Sequence, residues 1–275
     1  MLRTSPLFLA RSAFVLLVAW ACYEFAGFLH GDDQGTLPLA VAGIIAISAL
    51  VASIVGFAFC ALAGSAFAYL SVDPVEAVRT MTVCSTAIQL YAVWRIRHAI
   101  RWSALRPMLA AGAFMVPVGV WLLLHVDAAL YGVGLGVFLS AYGLLVVFRR
   151  NDIVVSGSPW RDAGAGALGG LAGGLAGLSG SFVTIWCSMR GWDKGAQRAV
   201  YQPFILVMQV WTLVCLRWLA SRHVPLFEGF RFVPFALLAG IAGFAIYERL
   251  SHAQFRAVVS VLLILSGFGL LARAL

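Results

Sequence analysis

Residues 163–199 read AGAGALGGLAGGLAGLSGSFVTIWCSMRGWDKGAQRA. From Ala163 to Met189 the run carries no charge over 27 residues, enough to cross a bilayer. Yet glycine recurs through it, at Gly169, Gly170, Gly173, Gly174, Gly177 and Gly180. In a soluble helix each glycine costs roughly 1 kcal/mol against alanine. Within a membrane small residues offset that cost by letting helix backbones approach closely. Gly166, Gly170 and Gly174 fall on one helical face. Gly177 to Ser181 breaks that rhythm and supplies two hydroxyls. Non-helical backbone at membrane depth survives only inside protein or along a polar cavity. The stretch therefore predicts a close-packed helix that loosens at Ser179 to Ser181 to line something. A packing helix with no ligand is the plain alternative.

The composition extends that reading to the whole chain. Of 275 residues 62% are hydrophobic and 11% charged, with a mean hydropathy of +0.96. Apolar runs of about 20 residues without strand alternation select helices over a barrel, so the fold class is an all-α polytopic membrane protein. The net charge of +8 does not argue for nucleic acid. The arginines cluster at segment ends, where they set membrane orientation, and no basic stretch is interleaved with aromatics. Cys22, Cys60, Cys84, Cys187 and Cys215 lie within apolar segments without CxxC spacing. They read as small core residues, and no cofactor or metal site is expected.

In chain order, Leu9 to Leu29 forms a first apolar segment, interrupted by Arg11 and Glu24, and residues 1–36 make an extra N-terminal helix. Leu37 to Val72 is uncharged over 36 residues, too long for one straight crossing, so it tilts, breaks or re-enters. Helices are expected at Ala77–Trp94, Leu105–Leu124 and Ala129–Phe148, with a kink at Pro117. Residues 151–162 read as a cytoplasmic linker. The pattern then recurs: Ala163–Met189, Val200–Leu216, Phe232–Tyr247 and Phe255–Leu271. Asp73 matches Asp193 and Gln89 matches Gln209, both at an offset of 120, and Tyr142-Gly-Leu-Leu145 echoes Phe268-Gly-Leu-Leu271. This is the pattern of two four-element membrane repeats, 37–150 and 163–275.

Counting basic loops places Arg95–Arg106, Arg149–Arg161 and Arg217–Arg231 in the cytoplasm. That makes the repeats parallel if each glycine-rich element crosses once. The N-terminus pulls the other way. Arg3 and Arg11 belong inside and Asp32 and Asp33 outside, which would make the first glycine-rich element enter and leave on one side.

The run GGLAGGLAGLSGSFVTIW, followed by Arg190-Gly-Trp-Asp193-Lys and Arg198-Ala, resembles the TauE/SafE family of membrane transporters. Val55-Gly56-Phe57 and Ala77-Val-Arg79-Thr80 repeat it in outline. Ala58-Phe59-Cys60 stands where the family usually has further glycines, and Gly64 where it often has proline, which leaves the particular substrate open. The resemblance covers roughly Leu37 to Leu275. It implies secondary transport of sulfite, sulfonates or related small anions, in a multi-pass protein of the bacterial inner membrane.

An anion carrier needs hydrogen-bond donors and positive potential near the midplane. The candidates are backbone N–H groups and hydroxyls at Ser179, Gly180 and Ser181, helix N-termini, Thr80 and Thr82 of the first repeat, and Arg79 and Arg198 at equivalent helix starts. Each arginine could equally be an interfacial snorkelling residue. Gln89 and Gln209 sit 16 residues after their aspartates in otherwise apolar helices. They are either interhelical glue or donors to substrate oxygens. No nucleophile, paired carboxylate or phosphate loop argues for an enzyme. The expected partners are a small anionic substrate and the lipid bilayer, with homo-oligomerisation open. A non-transporting membrane subunit or scaffold is the competing reading.

Overall fold

The computed structural model describes residues 6–30, 37–55, 59–148, 155–220 and 228–247. The expected turn at Gly56–Phe57, the helix over Phe255–Leu271 and residues 151–154 lie outside them, as do Arg149, Arg150, Arg222 and Arg249. Among the described residues there are ten α-helices and no strand. They are α1 (Pro6–His30), α2 (Leu37–Val55), α3 (Phe59–Tyr69), α4 (Pro74–Ile96), α5 (Trp102–His125), α6 (Ala128–Phe148), α7 (Pro159–Ala176), α8 (Gly180–Met189), α9 (Lys194–Leu219) and α10 (Val233–Tyr247). Three helical stretches, Trp102–His125, Lys194–Leu219 and Gly229–Ile246, are long and apolar enough to cross a membrane. The protein is an all-α membrane protein.

Local chemistry fixes the helix ends. Asp73 caps α4, its Oδ1 accepting from the N–H groups of Val75 and Glu76 at 3.0 and 3.1 Å, and Pro74 follows at the first helical position. Asp193 caps α9 by accepting from Ala196 N–H at 2.9 Å. The two matched aspartates are thus the same structural device. The turns before them match as well, since Ser71 and Gly191, again 120 apart, both adopt left-handed backbone (φ 58° and 66°). Ser158 caps α7 ahead of Pro159, so the last four residues of the expected linker are the first turn of a helix. α5 runs unbroken through Pro107 and Pro117.

The second long glycine-rich segment is broken. α7 ends at Gly177, whose φ of +69° is open to glycine and strained for other residues. Its N–H returns to the Gly173 carbonyl at 2.9 Å. The chain then reverses. Gly169 faces Val183 and the Ser179 backbone, while Asp162 at the start of α7 bonds Arg190 beyond the end of α8 at 2.8 Å. α7 and α8 form a re-entrant hairpin that leaves on the side it entered. α2 and α3 also pack against each other. α3 meets the α7–α8 turn, a Cβ on Gly177 lying 3.3 Å from Cys60 Sγ.

Glycine makes the α5–α7 seam. A Cβ on Gly166, Gly170 or Gly174 would overlap the carbonyl oxygens of Met108, Gly112 and Val116 respectively. The residue numbers rise together on both helices, so α5 and α7 run parallel. α4 and α9 run antiparallel: Gln209 meets Ser85, whereas Tyr91 and Arg198 both reach Phe244. Arg101 N–H bonds the Ala199 carbonyl at the start of α9, and Gly229, beyond its end, lies on Thr80 at the start of α4.

These contacts overturn the parallel arrangement expected from loop charge. Because the second glycine-rich element turns back at Gly177, α4, α5 and α6 lie between the pairs α2–α3 and α7–α8. That odd number of helices leaves α9 antiparallel to α4. Arg217 and Arg231 therefore lie on the face opposite Arg95, Arg97, Arg101 and Arg106.

Candidate functional site

The α7–α8 turn, the start of α3 and the middles of α4 and α9 enclose a cavity of about 20 Å³, room for about one water. Ser53 comes from α2, and the first residues of α3 (Phe59, Cys60) and α8 (Gly180) open onto the space. α4 contributes Ser85, Ile88 and Gln89; α9 contributes Gln202, Ile205 and Gln209; Phe244 of α10 closes one side. Among the described residues no lining side chain carries a fixed charge. Gln89, Gln202 and Gln209 are nearly fully buried, at 6%, 1% and 2% exposure.

Gln89 and Gln209, 120 residues apart, line the same space. Gln209 donates from Nε2 to Ser85 Oγ at 2.7 Å, which leaves its Oε1 buried without a hydrogen-bond partner, as is Ser53 Oγ. An unmet polar group of this kind costs about 1–3 kcal/mol, whereas interhelical hydrogen bonds in membranes return only about 0.6–2 kcal/mol. Stability is thus a poor reason to keep these groups.

α8, 10 residues long, begins at the cavity. A helix N-terminus carries about half a positive charge and presents free N–H groups. Such an end, beside three buried amides, creates a site for negative charge without a cation.

The other expected site residues fall around the pocket. Ser179 is wholly buried with its Oγ unpartnered, but it packs on Gly173, outside the cavity wall. Ser181 is engaged locally, its Oγ donating to the Leu178 carbonyl at 2.8 Å and its carbonyl accepting from Tyr142 OH at 3.3 Å. Thr82 donates to the Val78 carbonyl just behind the Gly177 turn, and Thr80 lies against Gly229. Arg79 is buried and paired with Glu76 at 3.3 Å, on the face away from Arg198. Arg198 sits 6.0 Å from the Phe244 ring centroid, one turn beyond Gln202, so Phe244 stands between this cation and the pocket.

Of the lining residues, Ser53, Ser85, Gln202 and Phe244 escaped the sequence reading. Gln202 and Ser85 carried a signal: Gln202 is seven residues before Gln209 and Ser85 four before Gln89, both same-face spacings. Ser53 and Phe244 are ordinary residues of apolar helices and carried none.

The family model described as Sulfite exporter TauE/SafE matches residues 39–270. The chain belongs to the TauE/SafE family. No curated protein and no solved structure matches the chain. TauE/SafE is a family of sulfite-exporter-type membrane transporters, and in this TauE/SafE protein the matched span includes the α7–α8 hairpin, the glutamines and the cavity.

A second polar cluster lies at the mouth of the α7–α8 hairpin. Asp162, 6% exposed, accepts from Trp186 Nε1 at 2.6 Å and from Arg190 at 2.8 Å. The Arg190 guanidinium lies 4.6 Å from the Trp192 ring centroid, against Gly157. Arg101 covers Trp192 from the α5 side at 5.3 Å. The cluster holds the hairpin closed at the interface.

Proposed function

We propose that the chain is a secondary transporter moving small sulfur oxyanions, sulfite or sulfonates, across the bacterial inner membrane through the central cavity. The observation that carries this is the convergence of three buried glutamines and the α8 N-terminus on one pocket whose described lining carries no fixed charge. Neutral donors and a half-charge hold an anion without trapping it, which is what a carrier needs. At about 20 Å³ the pocket is too small for sulfite, so the arrangement is an occluded one. Substrate enters when one hairpin tip moves away from α4 and α9.

Gln209 takes part by turning its amide over. The Ser85 hydroxyl then donates to Oε1, and the freed NH2 donates to the substrate. Gln89 and Gln202 complete the shell, while Ser179 and Ser181 hold the tip in shape behind it. Arg198 gathers anions on one side of Phe244.

The two halves read as inverted repeats of one ancestral unit. Three findings support this: the offset of 120 at the left-handed turns, caps and glutamines; the antiparallel α4–α9 pair; and contacts that exchange halves, α5 with α7 and α10 with α2. Arg95, Arg97, Arg101, Arg106, Arg161, Arg190, Lys194 and Arg198 share one face, against Arg79, Arg217 and Arg231 on the other. The first face is cytoplasmic by the positive-inside rule. Arg3 then belongs inside and Asp32 and Asp33 outside, with the first hairpin re-entering from outside.

The test is uptake of radiolabelled sulfite and methanesulfonate into proteoliposomes. Flux above protein-free vesicles, strongly reduced in Gln89→Leu and Gln209→Leu proteins of unchanged thermal stability, is the expected result. Absence of flux for any small oxyanion would favour a scaffold subunit.

A further inference from the structure

We propose that the central site selects its substrate by charge state, taking singly charged oxyanions, hydrogen sulfite among them, and rejecting dianions. This rests on the transport reading above and sharpens it.

The positive potential at the site is that of the α8 N-terminus, about half a charge, no more than a single negative charge calls for. The described lining side chains add dipoles but no cation. Desolvation opposes this attraction. It grows with the square of the charge, so a dianion loses about four times the hydration free energy of a monoanion of the same size. Doubling the charge only doubles its attraction to a fixed partial charge. The balance therefore turns against the dianion wherever the site is uncharged.

The unpartnered Gln209 Oε1 and Ser53 Oγ are the independent observation. An anion stripped of protons brings only lone pairs, and the Gln209 oxygen in its present orientation would meet them unfavourably. An oxyanion with one hydroxyl donates to that oxygen while its remaining oxygens accept from Gln202, Gln89 and the α8 N-terminus. Both orientations of the amide thus find a partner on a protonated monoanion.

The titratable groups around the site are few. Among the lining residues Cys60 on α3 is the only one, and the lining residues of α2, α4, α9 and α10 include none. Arg198 lies one turn beyond Gln202 behind Phe244, Arg79 lies about ten residues along α4, and Asp162 and Arg190 are paired at the far end of the hairpin. A pH profile of sulfite flux between pH 6 and 9 therefore reports the substrate's own ionisation.

The experiment measures sulfite and sulfate flux in proteoliposomes over that range at fixed total concentration, with protein-free vesicles subtracted. Sulfite flux should fall about tenfold per pH unit once hydrogen sulfite becomes the minor species. Sulfate should be carried at least about 100-fold more slowly at every pH. The Cys60→Ala protein should keep the same profile. Sulfite flux that is flat or rises with pH, sulfate carried at a comparable rate, or a profile that moves with Cys60→Ala would each overturn the inference while leaving anion transport standing. No sulfite flux at any pH would instead overturn the transport reading beneath it.

Discussion

Gly170→Ala tests the glycine seam that holds the second hairpin in place. A Cβ at this position would overlap the Gly112 carbonyl oxygen and lie 2.7 Å from the Gly112 Cα, where ordinary contact begins near 3.4 Å. The obstacle is backbone of another helix, so no side chain can swing aside. The two helices must part locally by at least 0.7 Å, and overpacking of this kind costs about 1–3 kcal/mol. Against it stands the gain of about 1 kcal/mol for replacing glycine by alanine in a helix. Gly164→Ala, on the same helix, meets nothing within 4 Å and should realise that gain alone. The propensity term is common to both, so the variants should differ by the overpacking cost, about 1–3 kcal/mol. At about 2–4 °C per kcal/mol this is several degrees in thermal unfolding followed by tryptophan fluorescence in detergent. If Gly170→Ala unfolded together with Gly164→Ala, the close α5–α7 approach would be wrong.

Three further outcomes concern the site and its supports. Gln209→Glu should transport less than Gln209→Leu, because a carboxylate puts repulsive charge against the substrate; equal activity of the two in proteoliposome flux would remove Gln209 from the substrate shell. Methanesulfonate flux should follow an imposed potential, at about 2.3 kcal/mol per charge per 100 mV, and ignore a pH gradient, since the pocket wall holds no carboxylate; the reverse response would mean a proton relay. For Asp193, the Ala196 N–H bond holds its carboxyl below the usual range. The cap's contribution should therefore be complete above about pH 4, the unfolded aspartate value, and decline as pH falls through the lower folded one. Asp193→Asn should flatten that acid limb in a stability-versus-pH series.

Much of this was legible in the sequence. Asp73, Asp193, Gln89 and Gln209 fall at one offset because the same cap and the same pocket position occur twice, and a periodic polar residue in an apolar run stands out. The glycine face of α7 was legible for a similar reason, because Gly166, Gly170 and Gly174 have the spacing of a helix seam. The direction of the chain after Gly177 was not legible. Hydropathy measures length in apolar surroundings, and 27 uncharged residues fit either one crossing or a hairpin. Only tertiary contacts, such as Gly169 with Val183 and Asp162 with Arg190, separate the two. With that direction open, the count of basic loops grouped Arg217 and Arg231 with Arg95–Arg106, whereas α4 and α9 place them at opposite ends. The charges of the N-terminal segment pulled the other way, toward re-entry of the first element.

The correspondence between the halves stops at the hairpin mouths, and that difference bears on how the pocket opens. Shifted by 120, Asp162 and Arg190 correspond to Ala42 and Leu70, which can form no ion pair. Gly166, Gly170 and Gly174 correspond to Ala46, Leu50 and Ile54, so α2 lacks the glycine face that interlocks α7 with α5. On that side the clearance comes from the partner helix instead, where a Cβ on Gly243 would overlap the Leu50 carbonyl. The α7–α8 hairpin is therefore held twice, by a backbone seam along its length and by a buried carboxylate–guanidinium pair at its mouth. A buried pair of this kind is costly to break, about 3–5 kcal/mol when one partner is lost. Packing without such a lock separates at lower cost. The expected consequence is an unequal division of labour: α7–α8 with α5 forms the fixed wall of the pocket, and the side formed by α2, α10 and Phe244, which has no such pair among the described residues, is displaced at lower cost.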